Sequence, residues 1–186
     1  MHVQPKEPRF TIQDTFNGIE ATIPAARNGF VLLFMSAWIV GWGVGELSAI
    51  RQLLSHGNGP PELFMLAWLA GWTMGGAWAA GTIAWQLGGR EVVVVGPSTL
   101  QHRIEAFGIG RTRTYQLADV KDFRTVELVR SPFANQSAWL PSFTGSVGAV
   151  AFDYGARTYR FAPSLDEAEA KLLVSKLGAR LSGRSA

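Results

Sequence analysis

The 186 residues are 47% hydrophobic and 17% charged, with a formal net charge of +3, no cysteine and seven tryptophans. Those averages conceal two kinds of polypeptide: residues 29–50 and 63–87 hold a single formal charge, Glu46, and the rest of the chain carries 30 of the 31 charged groups. The pattern speaks against a plain soluble globule, and the absence of cysteine excludes a disulfide scaffold, cysteine-ligated zinc or iron–sulfur, and thiol chemistry.

Residues 1–28 are electrically balanced, and Phe10, Ile12, Ile19, Ala21 and Ile23 alternate in part, so this segment is expected to lend a strand to a β domain formed further on. The first apolar run starts near residue 29, too late and too long for a signal peptide, and is expected to remain in the mature protein. Residues 29–50 and 63–87 are each long enough to cross a hydrocarbon core of roughly 30 Å as a helix. Between them, Arg51 to Glu62 contains Gly-Asn-Gly-Pro-Pro, a helix-breaking run short enough to join only antiparallel neighbours. Residues 29–87 are thus expected to form a transmembrane hairpin. Its outer flanks carry Arg9, Arg27, Arg90 and Arg103 against Arg51 alone in the loop, which predicts an inner (cytoplasmic) membrane protein with both termini cytoplasmic.

The hairpin contains an internal repeat. Phe34 to Gly45 aligns without gaps on Phe64 to Gly75, with identity at Phe, Met, Ala, both Trp and two Gly. Each copy gives a ridge of small side chains at four-residue spacing: Ala37, Gly41, Gly45 and Ala49, then Ala67, Gly71, Gly75 and Ala79. Such ridges let backbones approach closely in lipid, so ridge-to-ridge contact within the hairpin is expected. Six tryptophans, Trp38, Trp42, Trp68, Trp72, Trp78 and Trp85, accompany the ridges, and packing against lipid or a second subunit is expected of them. Neither span has a His, so axial ligation of a tetrapyrrole is not expected. Glu46 lies near the outer boundary, where reaching water or pairing with Arg51 is the plainer expectation and a proton-relay or partner-binding role the sharper one.

Residues 88–186 read as a small antiparallel β domain closed by a helix. Strands are expected at 91–95, 99–107, 111–118, 121–129, 147–153 and 157–162, with turns at Gly96-Pro97-Ser98, Gly108-Ile109-Gly110 and Tyr154-Gly155-Ala156. Ser164 to Glu167 reads as a capping box that opens a helix over 164–181 with the stripe Leu165, Ala168, Leu172, Leu173, Leu177 and Leu181. Asp119 and Asp122 are read as turn formers.

This order of elements, together with Trp85-Gln-Leu-Gly-Gly-Arg-Glu91 and Ala151-Phe-Asp-Tyr-Gly155, resembles uncharacterised bacterial two-helix membrane proteins with a C-terminal pleckstrin-homology-like domain. The resemblance covers residues 91–181 and implies a barrel or sandwich with the helix closing one end. Eukaryotic members of the fold often bind phosphoinositides through basic residues near the first hairpin. Here the first turn is Gly96-Pro97-Ser98, and Arg111 and Arg113 stand beside a later one, which departs from that pattern.

Catalytic constellations are not evident. His2, His56 and His102 are scattered, Gly108-Ile109-Gly110-Arg111 lacks the lysine and following helix of a phosphate loop, and the mild net charge does not suggest nucleic acid. No catalytic residue, metal site or cofactor is expected. Residues 130–146 instead carry Phe133, Trp139, Leu140 and Phe143 in a long aperiodic connection, expected to fold over the barrel opening or to dock on a partner or bilayer. The expectation is a non-catalytic accessory or scaffolding subunit packed against other integral membrane subunits and lipid, with a photosynthetic or respiratory complex as its setting. The alternative is a membrane-tethered sensor of lipid headgroups or a peptide.

Overall fold

The computed structural model describes residues 7–55, 60–127 and 148–182. They divide into two compact units, one of residues 1–26 with 88–186 and the other of residues 27–87.

The first unit is built from two antiparallel sheets and a helix. Strands β1 (Thr11–Thr15), β2 (Gly18–Pro24), β3 (Gly89–Val95), β4 (Thr99–Ala106) and β5 (Ile109–Gln116) form a meander in that order, although about sixty residues separate β2 from β3. The three-stranded sheet runs β6 (Val120–Thr125), β7 (Val150–Tyr154), β8 (Arg157–Phe161). No strand pairing joins the two among the described residues, so the sheet is not closed into a barrel, one of the two forms expected beside a sandwich. Residues 10–24 supply two strands rather than one. Their tight turn places Gly18 at φ +125°, where a Cβ would lie 2.1 Å from Val95 O, so only glycine fits.

Period-two patterning explains which side chains turn inward. Ile19, Ala21 and Ile23 of β2 stand opposite Val95, Val93 and Glu91 of β3, which stand opposite Leu100, His102 and Ile104 of β4. With Phe152 and Phe161 of the smaller sheet and Leu165, Leu173 and Leu177, the apolar members of this set form one buried core, Ile104 apart. Tyr115 joins an aromatic cluster there, its ring centroid 5.0 Å from Phe152 and from Tyr159. The β4–β5 turn falls one residue earlier than expected. Phe107 and Gly108, at φ +53° and +79°, occupy its two central positions, a primed turn that matches strand twist, and Gly110 belongs to β5. Asp122, at φ +49°, sits in the irregular register of β6 rather than in a turn, and Asp119 ends a 3-10 turn, Leu117–Asp119.

The C-terminal helix α3 runs Glu167–Ser182. Its capping box lies two residues later than the sequence suggests: Asp166 Oδ1 accepts from Glu169 N, and Glu169 Oε2 accepts from Asp166 N, both at 2.9 Å. Ser164 instead donates to Pro24 O. The buried stripe is Ala170, Leu173 and Leu177, preceded by Leu165, while Ala168 and Leu172 are exposed because they fall on the adjoining face of the 3.6-residue period.

The second unit is a pair of helices, α1 (Gly29–Ser55) and α2 (Pro60–Gly88). Asn28 caps α1, its Oδ1 accepting from Val31 N, and Asn28 N donates to Gln86 Oε1. The start of α1 therefore lies beside the end of α2, an antiparallel pair. Both helices outrun the apolar spans: α1 continues through Arg51 to Ser55, since a polar residue does not end a helix, and α2 opens on Pro60, whose missing N–H costs nothing in a first turn.

Candidate functional site

Polar and aromatic groups concentrate on the seam between α1 and α2. Trp42 lies flat against Gly76, where a Cβ would come 2.2 Å from the indole, and Trp42 Nε1 donates to Trp72 O at 2.9 Å. Trp72 lies beside Gly45, stacks on Trp68 with centroids 4.9 Å apart, and approaches Trp38 at 6.2 Å. Thr73 Oγ1 reaches across from α2 to Glu46 Oε1 at 2.5 Å. Above this point Gly45, Ser48, Ala49, Phe64 and Trp68 line an open groove of about 380 Å³.

The seam differs from ridge-to-ridge contact. A Cβ on Gly41, Gly71 or Gly75 would meet nothing within 4 Å, and Ala37 and Ala67 are exposed, whereas Ala49 and Ala79 are buried. The helices meet instead by seating a tryptophan of one over a glycine of the other, Gly76 being a residue that the repeat alignment stops short of. Six bulky indoles explain this: two of them inserted between the helices hold the small residues of the ridges apart. Trp42 and Trp72 are consequently internal contacts, Trp85 is buried, and Trp38, Trp68 and Trp78 keep exposed surface. Glu46 faces Thr73 across the seam, and no pairing with Arg51 occurs among the described residues. Phe133, Trp139, Leu140 and Phe143 lie outside the described residues.

A second polar centre, in the β unit, was hidden from the sequence. Glu91 and His102, 2% and 4% exposed, lie diagonally across β3 and β4 with Glu91 Oε2 and His102 Nε2 3.4 Å apart. The same oxygen accepts from Ala162 N at 2.8 Å, which holds Ala162 at φ +61° after the last strand. The His102 ring packs 5.5 Å from Phe161. Neither residue has a motif around it. Only the strand register brings them together, and the arrangement ties the large sheet to the segment leading into α3. Glu91 and His102 are two potential ligands, and among the described residues no three metal-binding side chains converge.

Elsewhere in the unit, carboxylates engage several of the arginines. Glu105 pairs with Arg90 and Arg103, and Arg124 pairs with Asp122 and Asp153. Arg9 binds Glu169 through its backbone N and two side-chain nitrogens. Burial disfavours the Glu169 charge, but hydrogen bonds from the Arg9 guanidinium and from the Asp166 and Arg9 backbones outweigh it and lower the carboxyl to about 2.

No family model, curated protein or solved structure matches the chain.

Proposed function

We propose that this chain is a non-catalytic accessory or scaffolding subunit of the cytoplasmic membrane, one that packs its Trp- and Gly-rich helical pair against lipid and other integral membrane subunits. The observation that carries the reading is the bareness of the two helices. They are long and apolar enough to cross a membrane, yet only 6% and 11% of their apolar windows are buried. Phe30, Leu33, Leu63 and Met74 are each more than seven-tenths exposed, a condition that water does not tolerate over two whole helices and that lipid or neighbouring helices would relieve. Antiparallel pairing of β2 with β3, Pro24 opposite Arg90, supports a reading in which both ends of the helical pair open on the same side. Arg9, Arg27, Arg90 and Arg103 favour the cytoplasmic side. The β unit, two sheets with a C-terminal helix, is read as pleckstrin-homology-like. The carboxylates that engage Arg9, Arg90, Arg103 and Arg124 withdraw those four cations from headgroup binding, and the preference for the scaffolding role rests on the bare helices.

The test is extraction from native membranes. The chain should stay with the membrane in carbonate and emerge in mild detergent within a larger assembly, a respiratory or photosynthetic complex being the setting to try first. Native mass spectrometry giving the isolated chain alone, under conditions that keep known complexes whole, overturns the reading.

A further inference from the structure

We propose that Glu46 is the docking point for a transmembrane helix of another protein that carries a Lys or Arg at the same depth. This rests on the membrane reading above and names the chemistry of the partner. Glu46 is the only formally charged residue within 29–50 and 63–87, so neither helix of the pair offers it a counter-ion there. Among the described residues its one hydrogen bond is shared. Thr73 has a single hydroxyl proton, and that hydroxyl lies 2.5 Å from Glu46 Oε1 and 2.8 Å from Leu69 O, so one proton serves two acceptors. Glu46 Oε2 is buried and has no hydrogen-bond partner among the described residues.

The position makes this costly. At 1.5 Å per residue Glu46 stands ~14 Å from the Ser55 end of a helix ~40 Å long, which leaves it roughly 8 Å inside a centred 30 Å hydrocarbon core. An acidic group at such a depth is retained where something pairs with it.

The surface around it admits a helix and suits a cation. Glu46 is partly exposed and Thr73 is exposed, so the residue lies at an open rim of the seam; Oε2 itself is shielded, and a partner cation reaches it with a turn of the Glu46 side chain. Gly45, Ser48 and Ala49, in the same stretch of α1, are small enough for the backbone of a neighbouring helix to come close, and the groove they line would take an aliphatic side chain of that neighbour, although Glu46 is not part of its wall. A second copy of this chain fits poorly, since it would bring another carboxylate and no base.

The full chain is reconstituted in phosphatidylcholine bilayers with fluorescent polyleucine transmembrane peptides. One peptide carries a single Lys ~8 Å below the bilayer surface, and others carry Leu or Glu there. Energy transfer should show the Lys peptide binding about tenfold more tightly than the Leu peptide. Glu46→Gln should erase the difference, and Glu46→Lys should transfer the preference to the Glu peptide. Equal binding of Lys and Leu peptides by an inserted wild-type chain, or a preference that survives Glu46→Gln, overturns the proposal alone. Self-association abolished by Glu46→Gln, without peptide discrimination, overturns it in favour of a second copy. A chain that carbonate strips from the bilayer overturns the membrane reading and the proposal together.

Discussion

The two units use the same apolar residue types in opposite ways. In the β unit Phe152 and Phe161 are each 1% exposed, closed in by two sheets and a helix, whereas in the helical pair Phe30 and Phe34 are 77% and 54% exposed. The β unit therefore gains stability by removing apolar surface from water, and the helices cannot, because most of their apolar surface is never covered by the chain itself. What remains to hold the helices together is local: two indoles seated over glycines, one indole N–H on a carbonyl, one hydroxyl on a carboxylate, and the Asn28 N–H on the Gln86 side chain. The contrast teaches that burial identifies the core in one unit and close packing identifies the contact in the other.

The sharpest way to break this comparison is truncation of a phenylalanine in each unit. Phe152→Ala should destabilise the β unit by about 3–5 kcal/mol, the usual cost of emptying a packed core, while Phe34→Ala should change the stability of the helical pair by under about 0.5 kcal/mol. Chemical unfolding followed by intrinsic fluorescence in detergent measures both. Equal losses would mean that Phe34 is covered and the helices are a conventional core.

A smaller effect is expected at the seam. Gly76→Leu drives a side chain into the Trp42 ring and should cost about 1–3 kcal/mol, whereas Gly41→Leu, with open space at its Cβ, should be close to neutral. Helix separation by steric trapping reads the difference. If Gly41→Leu proves the worse of the two, the ridges and not the indoles form the contact.

Much of the architecture was legible before the structure. The apolar spans, the breaker between them, the β-then-helix order and most strand positions follow from composition and periodicity, which are local properties. What was missed depends on long-range register. Glu91 and His102 are eleven residues apart in sequence with no motif, and meet only because β3 and β4 pair with Val93 opposite His102. The two strands of residues 11–24 were compressed to one although Asn17-Gly18 is a hairpin signal, because the partly alternating apolar residues on either side of it were read as a single run. The seam was misplaced for a related reason. Small residues at four-residue spacing mark where helices can approach, but indole volume decides where they do.

A third effect, comparable to or below the second, comes from acid. Against the opposing effect of burial, hydrogen bonds from Arg9 and from the Asp166 backbone lower the Glu169 carboxyl to about 2, below an ordinary unfolded value near 4.3. A depressed carboxylate contributes stability above the unfolded value and loses it as pH falls through the folded one, so the β unit should weaken between about pH 4.5 and 2. Because Arg9 is 41% exposed, solvent screening reduces the contribution to about 1–2 kcal/mol. Glu169→Gln should lower stability at neutral pH and flatten the acid limb over that window. An unchanged limb would show that the Arg9 contact does not tether the N-terminal segment to α3.

The smallest expected change is a gain, and it concerns the turn between β4 and β5. Phe107 holds φ +53°, a left-handed conformation that bulky side chains resist, followed by Gly108 at +79°. Asn-Gly is the pair this turn type prefers, so Phe107→Asn should stabilise the β unit through the backbone by roughly 0.5–1 kcal/mol. Opposing it is loss of the Phe107 ring from its place over Gly88, where a Cβ would come 2.7 Å from the ring. That ring is 68% exposed, so the loss should be the smaller quantity and the net change about +0.5 kcal/mol by thermal or chemical unfolding. Destabilisation by Phe107→Asn would mean that an exposed aromatic contributes by contact after all. The rule separating the two units would then hold for the core of the β unit and fail at its edge.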